Sequence, residues 1–261
     1  MSQKIFSKID FKKLTKLYLD EILIATSTNH NKNLKRLIFE LSIFSSGLDT
    51  NSCFIDVGGG DGLLSGLIKF VYPNLTCYVI DDYKDNWYKS ELINYLKGKG
   101  IIFVKMDASR DISFLNQITQ EKNIAIISCL HSIEHWQVSP NKFLEKAYLN
   151  LTKNGKLVLA FPNNANLKKR LLAIQGQTSW TNFDYWYNCG EFRGHVREPN
   201  IKDLKLISSN LGCKSKSIYG RNFMGSFSSK KFVRFVSIFF DYLLRMFPSL
   251  CSDLYIVMNK E

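Results

Sequence analysis

Across 261 residues the chain carries 45% apolar side chains, 35 Lys and Arg against 23 Asp and Glu, and a formal charge of +12; it can bury one large core, and no internal repeat or low-complexity linker divides it. Six cysteines, Cys53, Cys77, Cys129, Cys189, Cys213 and Cys251, are scattered without a Cys-x-x-Cys pair, which excludes a zinc cluster or a disulfide frame and fits a reducing compartment. The positive balance favours anionic partners without identifying them, and its densest cluster, Lys168-Lys169-Arg170, is too short to argue for RNA.

Residues 1–13 are charged and lack the apolar run of a signal peptide, so a cytoplasmic protein is expected. Amphipathic helical spacing follows at 9–25 and 33–44, predicting a helical cap. The segment 54–62, Phe-Ile-Asp-Val-Gly-Gly-Gly-Asp-Gly, then reads as a buried strand ending in a glycine-rich turn. Gly58, Gly60 and Gly62 tolerate positive φ and leave the backbone open to a ligand. Leu63, Leu64, Leu67 and Ile68 continue at helical spacing. The dinucleotide pattern Gly-x-Gly-x-x-Gly fails because Leu63 stands where its last glycine belongs, which disfavours a dehydrogenase, and no Gly-Lys-Ser/Thr follows to make a Walker loop.

What remains, acidic-x-Gly-x-Gly-x-Gly from Asp56 to Gly62, resembles the first motif of class I S-adenosylmethionine-dependent methyltransferases. That resemblance implies an S-adenosyl-L-methionine cofactor bound by Asp56, Gly58, Gly60 and Gly62. The apolar stretch Leu75, Cys77, Val79, Ile80 ends in Asp81 and Asp82; Asp81 is the choice for the ribose hydroxyls, with Asp82 solvated or capping the next helix. Strand 101–106 leads to Asp107, which in the family sits near the adenine and by its residue type alone equally suits a helix cap.

Strands at 52–57, 75–80, 101–106, 123–128 and 156–161 alternate with helices at 61–71, 86–97, 111–121 and 140–152. Such alternation predicts a doubly wound, mostly parallel α/β sheet covered on both faces. Beyond Pro162 a helix at 165–175 precedes a ring-rich stretch, Trp180, Phe183, Tyr185, Trp186, Tyr187 and Phe192, suited either to roof an acceptor or to pack on the core. Pro199 is placed in the first turn of a helix ended by Gly212, and two closing strands lie at 213–219 and 253–258. In the family these last strands form an antiparallel edge pair in a seven-stranded sheet, here separated by a long insert, 220–252. A single methyltransferase domain over 1–261 is expected.

The loop after strand 123–128 reads Cys129-Leu130-His131-Ser132-Ile133-Glu134-His135-Trp136, and with the turn Lys153-Asn154-Gly155 it resembles later motifs of small-molecule methyltransferases, including ubiquinone-pathway enzymes. A hydroxyl acceptor must lose its proton, so His131, His135 and His195 are the candidate catalytic residues, His131 first as base and His135 chiefly as loop support. His131-x-x-Glu134-His135 also matches an inverted zinc-protease pattern, which a strand-to-helix crossover after a cofactor motif does not suit. Ubiquinone-pathway enzymes carry Glu-x-x-Glu-His here and can hold a divalent ion; His131 in place of the first Glu argues against magnesium, and no metal is assigned. Residues 194–199 resemble a segment of glycan-pathway methyltransferases in which His195 faces the acceptor and Arg197 binds an anionic substituent.

The apolar stretch 232–247 is interrupted by Arg234, Asp241 and Arg245 and too short to span a bilayer. It suits peripheral membrane contact through 228–247, a partner subunit or packing at the sheet edge. The expectation is O-methylation of a small molecule, a lipid precursor or a polysaccharide component. An RNA methyltransferase and a non-catalytic binding protein of the same fold are the alternatives, nucleic acid being disfavoured; the oligomeric state is not readable.

Overall fold

The computed structural model describes residues 10–45, 48, 52–84, 88–177, 181–223, 239 and 241–261. Strands β1 (Ser52–Val57), β2 (Thr76–Asp81), β3 (Ile101–Lys105), β4 (Asn123–Leu130), β5 (Leu151–Pro162), β6 (Ser215–Arg221) and β7 (Asp253–Asn259) form one sheet in the order β3-β2-β1-β4-β5-β7-β6. β7 runs antiparallel to both β5 and β6, and the remaining pairings are parallel. Strand order reverses between β1 and β4, which opens a crevice at their carboxyl ends, where ligands of open α/β sheets lie.

The central strands are buried on both faces, so they read as continuous apolar runs. In β1, Phe54 packs on one side of the sheet with Leu67 of α3 (Leu63–Val71), Leu92 of α4 (Ser90–Gly98) and Leu41 of α2 (Leu34–Phe44). Cys53, Ile55 and Val57 face the other side, with Phe114 of α5 (Ser113–Glu121), Phe143 of α6 (Asn141–Asn150) and Leu204 of α9 (Ile201–Asn210). Complete burial of each such side chain contributes about 1.5–3 kcal/mol. The cysteines Cys53, Cys77, Cys129, Cys213 and Cys251 are free and buried, and burial pushes the Cys53 and Cys77 thiols up to about 12.

The expected helical cap exists as α1 (Phe11–Thr26) and α2. The Tyr18 hydroxyl of α1 donates to the Leu63 carbonyl at 2.9 Å, and a Cβ on Gly66 would lie 2.1 Å from that hydroxyl. The cap is thereby latched to the helix that follows the glycine turn.

Several boundaries differ from the sequence expectation for local reasons. The segment 151–155 is not a free turn but the start of β5: Leu151 pairs with Ile124, and a register shift before Ile126 absorbs the extra residues. Pro199 stands outside α9, whose N-cap is Asn200 in a capping box with Asp203, while Gly212 ends it with φ +65°. After α7 (Leu167–Ile174) the ring-rich stretch contains a short helix, α8 (Phe183–Asn188), that buries none of its residues, so it is not a lid packed on the core. The expected helix 232–247 and Trp180 lie largely or wholly outside the described residues; Phe239, Tyr242, Met246 and Phe247 are exposed. Among the described residues no helix is long and apolar enough to cross a membrane.

Candidate active site

After β1 the backbone takes positive φ at Gly58 (+71°), Gly60 (+59°) and Gly62 (+80°). A Cβ on Gly58 would stand 2.1 Å from the Ser132 Oγ, so only glycine lets this turn pass under the β4 loop. Gly62 is the N-cap of α3 and offers no side chain; the Leu63 N–H of its first turn donates instead to the Asp61 carboxylate. Beneath the turn, Asp56 is buried and accepts hydrogen bonds from Ser128 Oγ at 2.7 Å and Ser65 Oγ at 3.2 Å. Burial pushes its pKa up to about 7 although both serine bonds oppose the rise. Asp56 does not line the cavity above; it buttresses the turn, and a Cβ on Gly59 would meet its Oδ2 at 2.7 Å.

That cavity, about 360 Å³, is bordered by Gly58, Asp81, Asp82, Asp107, His131, Ser132 and His135. Asp81 accepts the Gly60 N–H at 2.9 Å on Oδ2 and the Tyr88 hydroxyl at 2.7 Å on Oδ1. Asp82 is neither solvated nor a helix cap: both guanidinium NH groups of Arg193 bond its carboxylate at 3.2–3.3 Å. Asp107 accepts from the Ser109 N–H and hydroxyl, closing the turn after β3, whereas the N–H of Ser113 at the start of α5 goes to Asp111.

The β4 loop brings three histidines near one another. His131 adopts φ +54°, uncommon for a residue with a side chain. Its Nδ1 lies 3.6 Å from Glu134 Oε1, its Nε2 4.0 Å from Asp253 Oδ1, and its ring packs edge-on against Tyr255. Burial pulls its pKa down, but the Glu134 and Asp253 carboxylates outweigh burial and hold it above the ordinary histidine value. Carboxylates face both ring nitrogens of His131 and favour its protonated form. Tyr255 in turn donates to Glu40 of α2 at 3.0 Å, so the helical cap supports this ring from behind.

His135 and His195 lie with ring centroids 4.7 Å apart, nearly perpendicular. The His135 Nδ1 meets the Arg193 carbonyl at 2.8 Å, and the His195 Nδ1 meets Glu198 Oε1 at 2.6 Å. Glu198 also pairs with Lys169; burial raises its pKa, but His195 and Lys169 together outweigh that and keep it ionised. Near both rings lies Glu134, its side chain 1% exposed, on a 3-10 turn (Ile133–His135). Its backbone carbonyl accepts from the Val196 and Arg197 N–H groups and so pins the 194–199 loop in place. Arg197 itself faces Asp203 at 3.4 Å and lines neither cavity.

A second cavity, about 640 Å³, adjoins the first; Gln137 and Phe192 border both. His135 faces the first, His195 the second, and Phe183, Trp186 and Val196 supply much of the second's wall. Arg193, Glu198 and Ser132 escaped sequence reasoning as site residues. Arg193 and Ser132 meet residues far off in sequence, and no local pattern marks Glu198 beside His195; Glu134 alone carried a signal, a charge inside an apolar loop.

The first cavity fits S-adenosylmethionine. Gly58 at the turn suits an amino-acid tail, Asp81 a ribose and the 106–108 turn a base, while Gly60, Gly62 and α3 do not line the cavity. A family model described as a methyltransferase domain matches residues 30–217. A search of curated proteins by sequence finds no match. Among solved structures, a SAM-dependent methyltransferase from Archaeoglobus fulgidus is 17% identical with a TM-score of 0.53, covering 93% of this chain and 99% of its own. The plantazolicin methyltransferase BpumL, solved with a desmethylPZN analog and SAH, is 17% identical with a TM-score of 0.54, covering 99% and 94%. An O-methyltransferase family protein from Burkholderia thailandensis is 10% identical with a TM-score of 0.53; the match covers 95% of this chain and 59% of that one. The fold, the glycine turn and the family match together place the chain in the class I S-adenosylmethionine-dependent methyltransferases.

Proposed function

We propose that this methyltransferase acts on a hydroxyl of a small acceptor with an apolar or planar face, such as a small molecule, a lipid precursor or a polysaccharide component. The observation that carries this reading is the second cavity. Its rings, Phe183, Trp186 and Phe192, come from a segment that buries nothing in the core, and it meets the cofactor cavity at His135 and His195. Aromatic faces pack against flat or apolar ligands, and exposed rings without a core role are suited to that use.

When bound, S-adenosylmethionine supplies a methyl group on a sulfonium centre. The chain's own residues would align an acceptor oxygen in line behind that methyl group, exclude water and take up the hydroxyl proton. Gly58 and Asp81 would hold the donor, the Gly60 N–H tying Asp81 to the turn; Phe183, Trp186 and Phe192 would hold the acceptor; His135 and His195, at the junction, would draw off the proton. His131 orients Glu134 from the cofactor side. Peripheral membrane contact through 228–247 belongs to the same proposal, supported by the exposed Tyr242, Met246 and Phe247.

The test is calorimetric binding of S-adenosylhomocysteine followed by transfer of labelled methyl groups to a panel of phenols, lipid-linked precursors, glycans and RNA. Binding with labelling of hydroxyl compounds supports the reading. Labelling of RNA alone, weakening steeply with salt, replaces it.

A further inference from the structure

We propose that Glu134, His135 and His195 form a binding site for a divalent first-row transition-metal ion at the junction of the two cavities. One carboxylate oxygen of Glu134 and one ring nitrogen each of His135 and His195 lie within 4.8 Å of one another, the spacing of donors around a single ion. Glu134 and His135 stand at the last two positions of the pattern that the sequence resemblance implies, but the third donor differs. His131, at the first position of that pattern, turns to Asp253 and Glu134, and the third donor comes from His195, far along the chain.

Two further observations point to a ligand here. The Glu134 side chain is 1% exposed, and among the described residues neither of its carboxylate oxygens has a hydrogen bond; the nearest cation, His131, stands off at 3.6 Å. A buried carboxylate with both oxygens unbonded is costly unless a cation completes it. Both imidazoles, moreover, are oriented as metal ligands are. His135 presents its Nδ1 to the Arg193 carbonyl and His195 its Nδ1 to the Glu198 carboxylate, so each ring, held through Nδ1–H, keeps the Nε2 lone pair for an ion. Lys169 fixes Glu198 in turn.

Two imidazoles and one carboxylate suit zinc, iron(II), cobalt(II) or nickel(II), whereas magnesium prefers an all-oxygen shell. Three protein ligands leave a coordination position for an exogenous oxygen, and His135 and His195 border different cavities, so that position falls between donor and acceptor. An acceptor hydroxyl bound there would lose its proton more readily, to solvent, and with the ion present His135 and His195 would serve as its ligands in place of acting as bases. This role rests on the methyl-transfer reading; the binding itself does not.

The full-length protein, freed of metal with a chelator, is titrated with cobalt(II), read by its visible d–d absorption, and with zinc by competition against a chromophoric chelator. About one equivalent is expected, undisturbed by excess magnesium. His135→Ala and His195→Ala should each weaken binding at least about tenfold, and Glu198→Gln, which keeps the shape of the loop, about tenfold or more. S-adenosylhomocysteine affinity and far-ultraviolet circular dichroism in the same variants report the fold. Absence of stoichiometric binding by the unaltered chain overturns the site, as does binding that survives His195→Ala or shows thiolate charge-transfer bands. Failure to bind S-adenosylhomocysteine would strike the proposed function and leave the metal result standing.

Discussion

Arg193 grips the Asp82 carboxylate with both guanidinium NH groups at 3.2–3.3 Å, tying the acceptor-side segment to the end of β2 next to the residue that would hold the ribose. Both side chains are partly buried, 32% and 19% exposed, so the pair is screened less than a surface bridge. Arg193→Ala should weaken S-adenosylhomocysteine binding about three- to tenfold, close to 1 kcal/mol. Asp82→Asn should do nearly the same, and the double variant little more. Fully additive effects in that cycle would show that the two residues act independently of their contact.

Gly58 is held to glycine twice over. Its φ of +71° strains any other residue, and a Cβ there would sit 2.1 Å from the Ser132 Oγ and 2.4 Å from the Ser132 Cβ. Gly58→Ala should cost about 1–3 kcal/mol in urea unfolding and remove most cofactor affinity. Adding Ser132→Gly deletes the clashing atoms but not the backbone strain, so it should restore part of the stability. Complete recovery would mean that φ is not restrictive here, and none would mean that the clash is not the cause.

Asp56 makes stability depend on pH with a definite sign. Its pKa rises from 3.8 to about 7 in the fold, chiefly by burial. Between those values the native state keeps a proton that the unfolded chain has lost, so stability falls as pH climbs through that window and then levels off. Three pKa units correspond to on the order of 4 kcal/mol as an upper bound. Asp56→Asn removes this dependence while preserving partners for Ser128 and Ser65. The stability of the variant relative to the unaltered protein, from urea unfolding, should therefore improve from about pH 4 to pH 7 and stay flat above. A difference that does not change with pH would show that Asp56 is not titrating in the fold.

What the sequence disclosed and what it hid follow from the range of the interactions. The glycine turn, β1 and Asp81 were legible because their signals are local: a run of apolar residues, positive-φ glycines and a carboxylate one strand later. The proximity of Glu134 to His195, and the pairing of Asp82 with Arg193, depend on chain segments far apart in sequence; the 194–199 loop is pinned by the Glu134 carbonyl. Helix α8 was hidden for another reason. Its six residues are too few to show a period, and it buries no face that would impose one. The start of β5 was missed because Asn154 and Gly155 look like a turn, although the backbone there is already in the sheet.

His131 separates a chemical role from a structural one. Its ring stands between Glu134 and Asp253, on Tyr255, and borders the cofactor cavity. Its φ of +54° is better suited to asparagine than to most side chains, so His131→Asn is the least disruptive replacement. If the imidazole aligns Glu134 at the junction, this variant should lower kcat about tenfold or more while S-adenosylhomocysteine affinity stays within about threefold. Asn brings no charge, so the two carboxylates lose their shared cation, and stability should fall by about 1–3 kcal/mol in urea unfolding. Equal losses in rate and affinity would instead assign His131 to the architecture of the loop. An unchanged rate would leave His135 and His195 as the residues that deal with the acceptor proton.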